Sequence, residues 1–202
     1  MGTQPLSSNR IVSEALALLA EEGLEKVTLR KLAARLDVQA MSLYWHIENK
    51  DELYRRMSNA VFTDCLNSIP ECSCWQTWLK AFGLELWRAQ HEVRDAARLI
   101  FGAKQSGQAL GELASQIIAP LLALGIGADD AMKMQSSVQA MVTGWTGFDQ
   151  SFGEELEQII PVKATMEDSL DALIAGWEAV LAKQAAASSS ASEGKAETAL
   201  PS

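Results

Sequence analysis

The sequence predicts an all-α fold, and three observations carry that expectation. Apolar residues recur at i, i+3, i+4 and i+7 almost throughout, no stretch alternates with a period of two, and glycine or proline punctuates the gaps. With 202 residues, 48% apolar and 21% charged, the chain has enough apolar material for one or two packed domains and too much for a disordered one.

The first helix is expected over about residues 9–22, with Ile11, Ala15, Leu18 and Leu19 on one face and Gly23 as its stop. Thr28 is placed to cap a short second helix, Leu29 to Leu36, and Asp37 stands at a sharp turn, since Asp tolerates left-handed backbone. A third short helix follows over about 39–45. Asn49 and Glu52 have the spacing of a reciprocal cap, and Leu53, Met57, Val61 and Leu66 continue a long fourth helix toward Pro70. Trp75, Trp78, Leu79, Phe82 and Leu86 make one stripe of a helix ending near His91. Further helices are predicted at about 93–101, 107–124, 128–150 and 165–184. Beyond them, residues 185–202 (AAASSSASEGKAETALPS) read as a disordered tail.

Short helices with a tight turn, joined to a long one, form a three-helix helix-turn-helix DNA-binding domain at residues 1–50, whose third helix enters the major groove. The charge distribution permits this. The net charge of −9 lies entirely beyond residue 58, because the first 58 residues hold eight basic and eight acidic side chains. Thr28, Arg30 and Lys31 open the second helix near the DNA backbone, while Ala40, Met41, Ser42 and Tyr44 open the third, where side chains meet base edges. Tyr44, Ser42 and Lys50 are expected at phosphates, and Arg30 is the candidate for a bidentate guanine contact. His46 is a phosphate or structural partner rather than a metal ligand, since no second His or Cys lies at ligand spacing.

The segment ALALLAEEGLEKVTLRKLAARLDVQAMSLYWHIENKDEL resembles the N-terminal domain of the TetR family of bacterial transcriptional repressors. The resemblance continues through WQTWLKAFGLELWRAQHEVRDAARL and covers most of residues 9–184; Asp37 departs from it, where the family usually has glycine. It implies a homodimer on double-stranded operator DNA with palindromic half-sites, released by a small hydrophobic effector bound in a regulatory ligand-binding and dimerisation domain at 51–184. The last two long helices would pair into a four-helix bundle through Met134, Val138, Met141, Trp145, Leu170, Leu173, Trp177 and Leu181. The pocket would be lined by Trp78, Phe82, Leu86, Ile100, Lys104, Leu113, Gln116, Ile117, Gln135 and Gln139. Effector entry would move the sixth helix against the fourth and change the separation of the two reading heads.

In the drug-responsive branch of this family, tetracycline is held as a magnesium chelate by histidines on helices four and six and an asparagine on helix five. The matching residues here are Leu66, Ile100 and Phe82, so the expected inducer is apolar and aromatic, is not tetracycline, and needs no metal or other cofactor.

An enzyme is not expected: there is no nucleophile–base pair, Gly-rich phosphate loop or metal cluster, and Cys72-Ser-Cys74 reads as a loop of small residues. The alternative is a DNA-binding dimer controlled by a protein partner or by cysteine oxidation. Three cysteines fit no disulfide framework, the first ten residues lack a secretory apolar stretch, and the longest apolar run, 117–128, is broken by Pro120 and two glycines. A cytoplasmic protein without a membrane partner is therefore expected.

Overall fold

The computed structural model describes residues 6–102 and 107–197, and among them the fold is entirely helical. Helix α1 spans Ser8–Glu22: the Ser7 hydroxyl accepts the Arg10 N–H (3.3 Å), and Gly23, at φ 86°, ends it. A 3-10 turn at Leu24–Lys26, which the periodicity did not predict because three residues carry none, leads to α2, Leu29–Leu36. Thr28 caps α2 through Lys31 N–H (3.2 Å).

Asp37 adopts φ 54°, ψ 47°, the left-handed turn anticipated for it. Its N–H reaches Ala34 O (3.3 Å) and that of Val38 reaches Ala33 O (3.0 Å), closing the end of α2 and aiming the chain into α3, Ala40–Tyr44. Helix α4, Lys50–Ser68, starts at Asn49, which accepts the Glu52 N–H (2.9 Å). The return bond from Glu52 goes one residue further back than a reciprocal cap requires, to the Glu48 N–H (2.6 Å). Ile11, Leu19, Leu32, Leu43, Ile47, Leu53 and Met57 form the fully buried centre of this N-terminal unit.

The remaining helices are α5 (Trp75–Glu92), α6 (Ala96–Gly102), α7 (Gly107–Ala123), α8 (Ala128–Glu157) and α9 (Val162–Glu197). Helix α5 is central: Trp78, Leu79, Phe82 and Leu86 are buried among the helices around it. Gly83 sets how closely α9 approaches, because a Cβ there would stand 2.6 Å from Leu170 Cδ2 and 3.2 Å from Val138 Cγ1. The last two helices exceed their expected lengths. Helix α8 runs past residue 150 across a break at Gly153 (φ 45°), and α9 extends beyond 184 to Glu197. Residues 185–197, part of the segment expected to be disordered, continue α9 as helix, a conformation that their alanines favour. No helix among the described residues is long and apolar enough to cross a membrane.

Candidate nucleic-acid interface and cavity

Helix α3 buries Leu43 and turns the rest of its surface outward: Met41 is 69%, Tyr44 49% and the following Trp45 88% exposed. Ala40 is exposed and Ser42 half-buried. Three large side chains held in water by a five-residue helix form a surface with no use inside the subunit. Trp45 was absent from the expected contact set. Its signal lies in the register, since Leu43 and Ile47 face the core and 45 falls opposite.

The cations around this surface divide into two groups. Lys31 pairs with Glu22, and Arg35 with Glu14 (3.0 Å) and Glu21 (2.6 Å), the Arg35 bond holding the Glu21 carboxyl below its usual range. Arg30 is exposed with no carboxylate partner among the described residues. Lys50 also lacks one, and its ammonium sits 5.0 Å from the Tyr54 ring centroid. The Thr28 hydroxyl is occupied as a cap, and His46 is half-buried, its backbone N–H donating to Leu43 O (2.9 Å).

A cavity of about 320 Å³ opens between α4, α6, α7 and α8. Of the expected lining, Ile100, Leu113, Ile117, Gln135 and Gln139 meet there, joined by Ser58, Phe62, Met132 and Ser136, which sequence reasoning missed. The signal for Ser58 was a small polar residue within the apolar face of α4; it is 1% exposed. Trp78, Phe82 and Leu86 do not line the cavity. Trp78 and Phe82 stack on each other (5.4 Å between centroids) and Leu86 is fully buried, all three serving as core. Gln116 is exposed, because α7 turns Leu113, Ile117, Ile118 and Leu121 inward and 116 lies off that stripe. Lys104 lies outside the described residues. A larger groove of about 600 Å³ runs between α1 and α4, where Ser8, Asn9, Thr63 and Asn67 stand beside Val12, Leu16 and Ala60.

The cavity's polar side is organised. Gln135 Nε2 donates to Gln139 Oε1 (2.8 Å), the Thr143 hydroxyl to Gln139 O (2.7 Å), and Gln90 Nε2 to Thr143 Oγ1 (2.9 Å). Among the described residues no cluster of His, Cys, Asp or Glu could hold a metal ion, and Leu66, Phe82 and Ile100 offer none a ligand.

The helix that supplies Ile100 to the cavity also grips the N-terminal unit. Asp95, just before α6 at φ 56°, accepts the Leu24 N–H (2.8 Å), and this bond holds its carboxyl below the usual range against the opposing effect of burial. Arg94 donates to Glu21 O (3.2 Å), Arg98 pairs with Glu25 (3.3 Å), and Tyr54 donates to Leu24 O (2.8 Å) from α4.

The expected pairing stripes divide in two. Met134, Val138 and Leu170 are fully buried within the subunit, against the expectation that they face a second copy, because α5 packs between α8 and α9 and takes those faces. Met141, Trp145, Leu173, Trp177 and Leu181 are half-buried, and Phe148, Phe152 and Val180 are 54%, 53% and 43% exposed. Trp145, Phe148 and Phe152 contact one another in sequence along α8 (5.9 and 6.2 Å between centroids).

Comparison with known proteins agrees with this architecture. Residues 11–57 match the profile of bacterial regulatory proteins, tetR family. The chain is 32% identical over 141 residues to the class E tetracycline repressor protein of Escherichia coli, a match spanning 69% of this chain and 66% of that one. The matched part thus covers 61% and 66% of two curated relatives, just under two thirds of each. A TetR variant from Acinetobacter baumannii AYE, crystallised with minocycline, superposes with a TM-score of 0.69 at 32% identity, covering 87% of this chain and 98% of that one. BioQ with its double-stranded DNA operator superposes at 0.58 and 26% identity, covering 83% and 99%. Helix α3, the long connecting helix α4 and the helical body therefore have known counterparts, and the chain belongs to the TetR family of bacterial regulatory proteins, which are DNA-binding transcription factors and not enzymes.

Proposed function

We propose that this protein is a dimeric transcriptional repressor that binds a palindromic operator through residues 1–50 and leaves it when a neutral, largely apolar small molecule enters the cavity of the regulatory domain, residues 51–184. The observation that carries the proposal is the double role of α6 and the residues that lead into it: Ile100 forms part of the cavity wall while Asp95 and Arg94, just before the helix, hold Leu24 and Glu21 of the DNA-binding unit. A ligand that displaces Ile100 thereby acts on the position of the reading head. It shifts the equilibrium only by its difference in affinity for the two arrangements.

Arg30, Lys31, Met41, Ser42, Tyr44, His46 and Lys50, with Thr28 and Ala40 at the helix starts and Trp45 added, form the proposed contact set. The exposed row Trp145, Phe148 and Phe152 with Val180 supports pairing with a second copy, since lone soluble subunits seldom leave such a row in water. Two heads then sit about 34–36 Å apart, one turn of duplex. In the cavity, Gln135, Gln139, Ser58 and Ser136 supply neutral polar groups against an apolar wall, which suits an aromatic ligand without a metal and disfavours a metal chelate such as magnesium tetracycline.

The test is selection of bound duplexes from a random pool, followed by titration of the recovered sequence. Recovery of an inverted repeat, loss of binding in Tyr44→Phe/Lys50→Ala with dimer mass and melting temperature retained, and effector-insensitive repression by Gln135→Trp are expected. A recovered site without two-fold symmetry refutes the dimeric reading, and unchanged affinity of the double variant refutes the contact set.

A further inference from the structure

The link between α4 and α5 carries two cysteines, Cys72 and Cys74, that neither the DNA surface nor the cavity uses. Both are half-buried free thiols. Cys74 is the N-cap residue of α5, an 18-residue helix, where a side-chain oxygen ordinarily receives the first free N–H groups. Its Sγ lies 3.2 Å from Thr77 Oγ1, and the Thr77 hydroxyl, which donates to Cys74 O (2.9 Å), is free to rotate toward a sulfur anion. Hydrogen bonds from Thr77 and from the first-turn backbone lower the Cys74 thiol below its ordinary pKa. Cys72 Sγ is turned toward Pro70 O (3.2 Å) on the same bend. Residues two apart on a bent chain have Cα atoms roughly 5–7 Å apart, within the span a disulfide bridges.

We propose that Cys74 and Cys72 are a nucleophilic and a resolving thiol, closed to a disulfide by a hydroperoxide. The Cys74 thiolate attacks the peroxide: an S–O bond forms, the O–O bond breaks, and the leaving alkoxide takes up a proton and departs as an alcohol. The sulfur is oxidised by two electrons and the peroxide reduced by two. The Cys72 thiol then attacks the Cys74 sulfenic sulfur; the S–S bond forms, and the hydroxyl leaves with the thiol proton as water. Closure withdraws the sulfur from the Thr77 hydroxyl at the start of α5, the helix at the centre of the regulatory domain. Cys65 provides an internal reference. It is fully buried on α4, and burial pushes its thiol up to about 12, so it holds almost no thiolate at neutral pH.

The experiment treats the full-length protein with cumene hydroperoxide and digests it with proteases that cut after Glu71 and after Lys80. Residues 72–80 are thereby released apart from Cys65. In the wild type this peptide is expected two hydrogens lighter and restored by dithiothreitol, with Cys74 reacting at least about tenfold faster than Cys65. Cys72→Ser is expected to stop at a dimedone-trappable sulfenic acid on Cys74, and Cys74→Ser to give neither product. A wild-type peptide that stays reduced, or that passes directly to sulfinic acid at the same rate with and without Cys72, overturns the proposal. Equal reactivity of Cys72 in Cys74→Ser overturns the assignment of the nucleophile.

Discussion

Replacing Asp95 isolates the clip between α6 and the DNA-binding unit. Its carboxylate receives the N–H of Leu24, a residue only 8% exposed, at 2.8 Å. A hydrogen bond to a charged acceptor contributes about 1.5–3 kcal/mol, and the buried N–H has no alternative partner once the carboxylate is gone. Asp95 also sits at φ 56°, where a residue with a Cβ is strained by about 1 kcal/mol unless it is Asp, Asn or Gly. Three substitutions separate these effects. Asp95→Asn keeps a neutral acceptor and the tolerated backbone, so about 1 kcal/mol is lost; Asp95→Gly loses the Leu24 bond, about 1.5–3 kcal/mol, together with the largely exposed Arg98 pair (3.3 Å), which contributes little; Asp95→Ala adds the strain, about 2.5–4 kcal/mol. Urea unfolding at constant m measures all three.

The pH dependence supplies a second reading. The folded carboxyl titrates below its unfolded value of about 3.9, so its stabilisation is fully present above that pH and disappears as pH falls through the lower folded value. The gap between wild type and Asp95→Asn should narrow below about pH 4. Variants that all lie within about 0.5 kcal/mol of wild type would show that the clip carries no energy, and the coupling from cavity to head would have to run through α4 alone.

Gly83→Ala is expected to destabilise the protein by about 1–3 kcal/mol in the same assay, because the new methyl would meet Leu170 and Val138 in a packed core; no change would mean that α9 is free to move aside. Asp37→Gly should stay within about 0.5 kcal/mol of wild type and Asp37→Val should destabilise by more than about 1 kcal/mol, since Asp and Gly both tolerate the left-handed turn after α2 and a β-branched residue does not; melting temperatures decide the order. Operator affinity should fall with salt at a slope of about −3.6 in log–log form if only Arg30 and Lys50 of two subunits each meet one phosphate, and a slope of about −7 would mean that the ion-paired Lys31 and Arg35 also engage.

What the sequence revealed depended on whether a residue's role was local. The second helix was legible to the residue because both of its ends are set by their own side chains, Thr28 and Asp37. The 3-10 turn at Leu24 was invisible because it is held from outside, by Asp95 some 71 residues later. The cavity was half legible: Gln135 and Gln139 stand out as amides in an apolar stripe, whereas Trp78, Phe82 and Leu86 have the same composition as a lining and turned out to be core. Periodicity says which face of a helix is buried. Whether that face meets another side chain or an empty volume depends on helices distant in the chain, and Met134, Val138 and Leu170 were assigned to a second copy for the same reason.

The distribution of ion pairs bears on how such a protein lets go of DNA. Of the eight basic residues before position 59, Lys31, Arg35, Arg55 and Arg56 already face Glu22, Glu14, Glu21 and Glu52. Few charges are left for phosphates, and the rest of the chain carries the whole excess of −9. On the proposed surface the part of the affinity that rests on phosphate neutralisation is therefore reduced, and the contacts proposed for α3 with base edges carry more of the binding energy. Base-edge contacts are short-ranged and fail together when the two heads lose register with the grooves, whereas a diffuse cationic surface would hold on through the same displacement. A coupling of about 2–3 kcal/mol through the Asp95 clip, modest beside the stability of the fold, is then enough to change operator affinity by roughly 30- to 150-fold. The pairs that tie up Lys31 and Arg35 thus brace α1 against α2 and also leave little charge to keep a misaligned dimer on the duplex.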